Sequence, residues 1–166
     1  MITGKFPNLR LRRGRKHGWS RRLLQENNLS VSDFILPIFI VDGKNKKQEI
    51  KSMPGVYRYT VDKLGKIVED AINRRIPLIA LFPSTSKKSK DYLGSEALNG
   101  DNLVCKAIRF IKKKFKNEIG IKCDVALDPY TSHGHDGLLK SGYVLNDETI
   151  EILIKQSILQ AQMGCD

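Results

Sequence analysis

The chain of 166 residues carries 29 lysines and arginines against 18 aspartates and glutamates, a formal charge of +11, and 40% of it is hydrophobic. No apolar run approaches the roughly 18–20 residues of a membrane span; the longest, Phe34 to Val41, is interrupted by Pro37, so no membrane-spanning helix is expected. The three cysteines, Cys105, Cys123 and Cys165, are odd in number and far apart, which argues against a disulfide framework or a zinc knuckle and for a reducing, cytoplasmic compartment.

The positive charge is concentrated at the start. Arg10, Arg12, Arg13, Arg15, Lys16, Arg21 and Arg22 precede the first acid after them, Glu26. Such a cluster suits a nucleic-acid or acidic-surface arm, because clustered cations release counterions from phosphate. A basic extension packed on another subunit, or simply solvated, is the better reading, since Trp19 stands alone and no aromatic interleaving supports base stacking. A transit peptide would be richer in serine. Residues 1–30 are therefore expected to form a basic arm with a short helix, and residues 31–166 the main domain.

From residue 34 onward three units repeat one order: apolar strand, loop, amphipathic helix. Phe34 to Val41 reads as a strand buried on both faces, with Pro37 marking an end or an irregularity. Asp42-Gly43 is a turn, followed by a lysine-rich polar stretch up to Ser52-Met53-Pro54-Gly55. Thr60 is placed to cap a helix whose Leu64, Ile67, Val68, Ala71 and Ile72 share a face and which ends before Pro77. Leu78 to Phe82 is the second buried strand, stopped by Pro83, and Ser84 to Gly94 reads as a loop. Asp101 is the expected cap of a helix with the stripe Leu103, Val104, Ala107, Ile108, Ile111 and Phe115. The run Lys112 to Lys116 falls on the wet side of that helix. Ile119 to Asp128 is the third strand. Asn146 or Asp147 caps a last helix, with Ile150, Leu153, Ile154, Ile158 and Ala161 on one face and Gly164 at its end. This alternation predicts a parallel α/β architecture. An eight-unit barrel usually needs about 250 residues, so three units read as a small open sheet or the front part of something larger.

The third strand alternates. Ile119, Ile121, Cys123, Val125 and Leu127 fall on one side, and Lys122, Asp124, Ala126 and Asp128 on the other. Two carboxylates on one face of a buried strand are costly unless hydrogen-bonded, hydrated or functional. Asp124 with Asp128 is the candidate substrate-binding pair, a buried polar pair being the alternative. Asp128 opens the stretch Asp-Pro-Tyr-Thr-Ser-His-Gly-His-Asp-Gly, at the strand end where parallel α/β proteins bind ligands. Asp128, His133, His135 and Asp136 could ligate a metal, but their spacing matches no common zinc template, and loop-shaping hydrogen bonds are preferred. Lys122 could serve as a Schiff-base lysine in a low-dielectric interior. It lies early in the strand, which favours a solvent-reaching role.

The stretch from Asp124 through Val-Ala-Leu-Asp-Pro-Tyr-Thr-Ser-His-Gly-His-Asp to Gly137 resembles the signature of the delta-aminolevulinic acid dehydratases. Supporting blocks are Trp19-Ser-Arg-Arg-Leu, Ser52-Met-Pro-Gly-Val-Tyr-Arg58, Gly94-Ser-Glu-Ala-Leu98, Asp101-Asn-Leu-Val-Cys-Lys-Ala-Ile-Arg109 and Gly142-Tyr-Val-Leu-Asn-Asp-Glu-Thr149. The resemblance implies the N-terminal part of a (β/α)8 TIM barrel, with an extended arm that wraps a neighbour in a homo-octamer. It implies a lyase that condenses two molecules of 5-aminolevulinate to porphobilinogen for tetrapyrrole and haem synthesis, through Schiff bases on two barrel lysines. Zinc-dependent members hold their metal with three cysteines, where this chain has Ala126, Asp128 and Asp136. Zinc is therefore not expected. The aspartate-type branch implied instead is often stimulated by magnesium away from the chemistry. On the same ground Asp124, Asp128 and Asp136 are the expected substrate contacts. The Schiff-base lysines and the magnesium-site glutamate belong to later strands, so the segment alone is expected to be silent. The alternative is a non-catalytic basic α/β module that binds nucleic acid or acts as an assembly element.

Overall fold

The structure, a computed structural model, describes residues 4–166 and divides into two compact units, the first ending at Ser30 and the second spanning Val31–Asp166. In the first unit a single 3-10 turn, Arg13–Arg15, precedes the short helix α1, Gly18–Leu23. Six residues are too few for a helix to stand on propensity alone. Its local support is polar: Ser20 Oγ donates to the His17 carbonyl at 3.0 Å, and the Arg21 guanidinium donates to the Arg15 carbonyl at 2.9 Å. Trp19, Leu23 and Leu24 are exposed, and Ser20 alone among the α1 residues is buried.

In the second unit three parallel strands carry the fold: β1 (Ile35–Val41), β4 (Leu78–Ser84) and β5 (Gly120–Cys123). Two short strands in the lysine-rich stretch, β2 (Lys47–Glu49) and β3 (Tyr57–Tyr59), were not expected; they form an antiparallel pair that extends the sheet to the order β2-β3-β1-β4-β5. Pro37 sits inside β1 without ending it. Register with β4 is unbroken from Ile35 opposite Leu78 to Val41 opposite Ser84. On its other side β1 pairs with β3 only at Phe39 and Ile40, so proline's missing N–H has no partner there to lose.

Helices α2 (Leu64–Asn73) and α3 (Leu103–Phe115) make the crossovers between the parallel strands, and α4 (Asn146–Met163) follows β5. Ile38, Ile40, Ile79, Leu81, Ile119 and Ile121 pack against Leu64, Val68 and Ala71 of α2 and Val104, Ile108 and Ile111 of α3. The opposite sheet face behaves differently: Pro37 and Lys122 are exposed and Phe39 and Phe82 are half-buried, their rings 5.7 Å apart. The apolar run of β1 is thus helix-covered on one side only, which corrects the expectation of burial on both.

Capping also departs from expectation. Thr60 precedes a 3-10 turn leading into α2 and makes no cap; its Oγ1 accepts the Lys46 N–H at 3.0 Å, tying the residue before β2 to the residue after β3. Asn102, not Asp101, caps α3, accepting the Cys105 N–H at 2.8 Å, while Asp101 pairs with Arg109 at 2.7 Å. Residues 139–140 and 143–144 form a minor hairpin, β6 and β7, before α4. Among the described residues no helix is long and apolar enough to cross a membrane.

Candidate active site at the end of the third parallel strand

β5 stops at Cys123, five residues short of the expected Asp128. The alternation holds up to that point: Ile119 and Ile121 are buried, Lys122 exposed. Beyond it Val125 is exposed and Leu127 leaves the main core to join Ala97 and Tyr130 in a smaller cluster, flanked by Ile152 and Leu153 of α4. Asp124 and Asp128 therefore lie on a loop at the C-terminal end of the sheet. A cleft of about 130 Å³ opens there, lined by Phe82, Pro83, Asp124, Ala126, Asp128 and Tyr130 among others.

Two loops lock together around it. Asp91 forms a parallel bridge with Thr131, the Asp91 N–H donating to the Tyr130 carbonyl at 3.2 Å and the Ser132 N–H to the Asp91 carbonyl at 2.7 Å. Asp91 Oδ1 accepts the N–H groups of Leu93 and Ser95, both at 3.0 Å, and these bonds, that from Ser95 foremost, hold its carboxyl below the usual range. The turn between them needs Gly94, whose φ of +66° would strain a side chain and whose Cβ would meet Thr131 Cγ2 at 3.3 Å. Thr85 Oγ1 donates to the Pro129 carbonyl, and Lys90 Nζ to the Asp128 carbonyl at 3.0 Å. The segment Ser84 to Gly94, expected only as a loop, thus braces the cleft residues Asp128, Pro129 and Tyr130 through their carbonyls.

The histidines shape the loop. His133 Nδ1 accepts the His135 N–H at 3.1 Å, which leaves the proton on Nε2 to donate to the Tyr92 carbonyl at 3.2 Å. The Tyr92 ring meets His133 edge-on, centroids 5.0 Å apart. Buried Thr131 donates to the His135 carbonyl at 2.8 Å. Among the described residues no three His, Cys, Asp or Glu side chains gather so as to hold a metal ion. At the positions where the family resemblance implies zinc cysteines, Ala126 offers no donor atom, and Asp136 Oδ1 accepts the Leu127 N–H at 2.5 Å.

The three expected carboxylates come together but differ. Asp136 closes the loop through that Leu127 bond. Asp128 is open to solvent on one side; burial on the other, and then the Asp136 charge, push its carboxyl above the usual range, opposed by Lys90. A carboxyl held nearer to neutrality is better matched to receiving and returning a proton near neutral pH. Asp124 is exposed, and its backbone carbonyl accepts Gln160 Nε2 at 2.9 Å.

That glutamine and Gln156 were missed. The expected face of α4 was Ile150, Leu153, Ile154, Ile158 and Ala161, but Ile150, Ile154 and Ile158 are exposed at 45%, 47% and 52%. The buried positions are Thr149, Gln156 and Gln160. Helix α4 has apolar residues on two sides, and unpaired carbonyls at the end of β5 require donors that isoleucine lacks. The i, i+4 spacing of Gln156 and Gln160 was the available signal.

The sequence model of the delta-aminolevulinic acid dehydratase family matches residues 8–166. The chain is 54% identical over 158 residues to the delta-aminolevulinic acid dehydratase of Bradyrhizobium diazoefficiens, covering 95% of this chain and 44% of that protein. It is 42% identical over 166 residues to the Rhodobacter capsulatus enzyme of the same name, covering all of this chain and 50% of the relative. The crystal structure of delta-aminolevulinic acid dehydratase (porphobilinogen synthase) from Toxoplasma gondii, in complex with the reaction product porphobilinogen, superimposes with a TM-score of 0.88 at 39% identity. That match covers 95% of this chain and 45% of the other. The chain spans about half the length of the curated relatives it matches. The three-strand parallel unit is accordingly the N-terminal part of a TIM barrel, and the chain belongs to the delta-aminolevulinic acid dehydratase family.

Proposed function

We propose that this chain is the N-terminal half of a porphobilinogen synthase, which condenses two 5-aminolevulinate molecules to porphobilinogen. The observation that carries the reading is the cleft at the end of β5, where family membership coincides with Asp124, Asp128 and the raised carboxyl of Asp128. In this reading Asp124 and Asp128 orient the substrate ammonium, and Asp128 takes up a proton released during condensation. Asp136 contributes its charge while holding the Leu127 amide. The Schiff-base lysines come from later strands, as the family resemblance implies, and so do the residues completing any magnesium site. Zinc is not part of this reading. The arm, with Trp19, Leu23 and Leu24 exposed beside its arginines, packs on a neighbouring subunit of a homo-octamer.

The test is production of porphobilinogen, measured by pyrrole colour. A polypeptide continuing this chain through the later barrel strands should turn over 5-aminolevulinate, and the 166-residue chain alone should not. Turnover by the short chain, or none by the long one, would overturn the proposal.

A further inference from the structure

The peptide after Cys123 has lost its neighbouring strand but not its hydrogen bonds. Gln160 Nε2 donates to the Asp124 carbonyl at 2.9 Å and Gln156 Nε2 to the Ala126 carbonyl at 3.0 Å. Four residues of helix rise about 6 Å. Alternate carbonyls of an extended chain lie roughly 6.5–7 Å apart. Two glutamines one turn apart on α4 therefore match two alternate carbonyls of the loop, and the helix stands in for the missing strand.

Both side chains are almost wholly buried, Gln156 at 1% and Gln160 at 5% exposure, and Gln156 Oε1 has no hydrogen-bond partner. Burying primary amides, one of them half-satisfied, costs free energy that leucine or methionine at the same positions would avoid. Packing does not account for them. What they hold does: the carbonyls of Asp124 and Ala126, followed at once by the Leu127 N–H bound to Asp136. Three successive anchors fix the backbone between the two carboxylates that face the cleft.

We infer that Gln156 and Gln160 are positioning residues for the Asp124–Asp128 segment, setting the geometry with which its carboxylates meet substrate. The inference rests on the synthase reading for its activity readout but not for its structural one. In the complete enzyme, Gln160→Met and Gln156→Met keep side-chain length and remove the donor. Each should lower kcat/KM for 5-aminolevulinate by about 10- to 100-fold, the cost of a misplacement near 1 Å. Each should keep Tm within about 3 °C of wild type. Amide hydrogen exchange in residues 125–128, read chiefly at the Leu127 N–H that Asp136 holds, should accelerate at least about 10-fold as the unanchored loop opens more often, with α3 unchanged. Unchanged kcat/KM and unchanged loop exchange would overturn the inference. So would activity lost only in step with global unfolding in both variants. Should Gln160→Met fail to fold, Gln156→Met, which also removes the unpaired oxygen, carries the same measurements. If the wild-type enzyme makes no porphobilinogen, the synthase reading fails, and the exchange of residues 125–128 still decides the positioning role.

Discussion

Asp136 Oδ1 accepts the Leu127 N–H at 2.5 Å, so one carboxylate of the site is also a structural clasp on the loop that carries the other two. Its charge is felt at Asp128, whose carboxyl it helps to raise. Asp136→Asn keeps an acceptor oxygen and removes the charge. In the complete enzyme this should move the acidic limb of the kcat–pH profile to lower pH, because Asp128 ionises more readily. Asp136→Ala removes the acceptor as well and should cost about 1–2 kcal/mol of stability for the orphaned amide, read by denaturant unfolding.

Asp128 predicts a pH-dependent stability of the opposite sense to an ordinary ion-paired carboxylate. Its folded value is raised, so unfolding is favoured wherever the unfolded chain is ionised and the folded one resists. Stability falls as pH rises from the ordinary value of 3.8 through the raised folded value, and the deficit persists above it. Asp128→Asn should therefore raise Tm at pH 7, lose that advantage below 3.8, and sharply reduce turnover in the complete enzyme. Thermal melts at pH 3 and pH 7 with parallel kinetics would check this.

Asp91 has the reverse sign. Its carboxyl is held low by the N–H groups of Ser95 and Leu93, so its stabilisation is present above 3.8 and lost as pH falls through the lower folded value. Asp91→Ala should destabilise by about 1 kcal/mol at pH 7 and by less in strong acid, where the protonated carboxyl is a weaker acceptor. Because the Asp91 loop is bridged to Thr131 and holds the carbonyl of cleft-lining Tyr130, KM for 5-aminolevulinate should rise with it.

The three cysteines should react unequally. The neighbouring Cys123 thiol is the chief cause that lowers Cys165 to about 7, although the Cys165 thiol can also donate to the Ile121 carbonyl at 3.3 Å. The same pairing and then burial raise Cys123, and burial raises Cys105. Since the thiolate is the nucleophile, iodoacetamide should modify Cys165 first, with a midpoint near pH 7, and leave Cys105 untouched until unfolding. Cys123→Ala should move that midpoint upward. Peptide mapping after timed labelling would read both.

Much of the molecule was legible in the residues alone. The helices α2 and α3 follow their apolar spacing, Leu64–Val68–Ala71 and Val104–Ile108–Ile111, because a helix face that must be buried repeats at i, i+3 and i+4. The loop from Asp124 to Asp136 was singled out as the candidate site from its paired aspartates and from the resemblance of its signature, and the Asp128–Asp136 proximity follows from the loop's closure. Helix α4 was misread. Its isoleucine stripe looked like the core, yet the structure turns Gln156 and Gln160 inward.

By itself the sequence determined the order of parallel strands and crossover helices and the family, and it put the candidate site at the end of the third strand. These are local patterns or contiguous motifs, and each is set by neighbours along the chain. Only the tertiary structure decided where β5 ends, which side of α4 is buried, how Asp91 bridges to Thr131, and which carboxylate is raised. The packing of α4 and the Asp91 bridge depend on partners 30 or more residues away, as Gln156 is to Ala126 and Gln160 to Asp124. The raised carboxyl of Asp128 depends on burial and the Asp136 charge that the closed loop brings to it. A backbone carbonyl at a strand end takes whatever donor the fold delivers to it, and no periodicity in its own segment records which one that is.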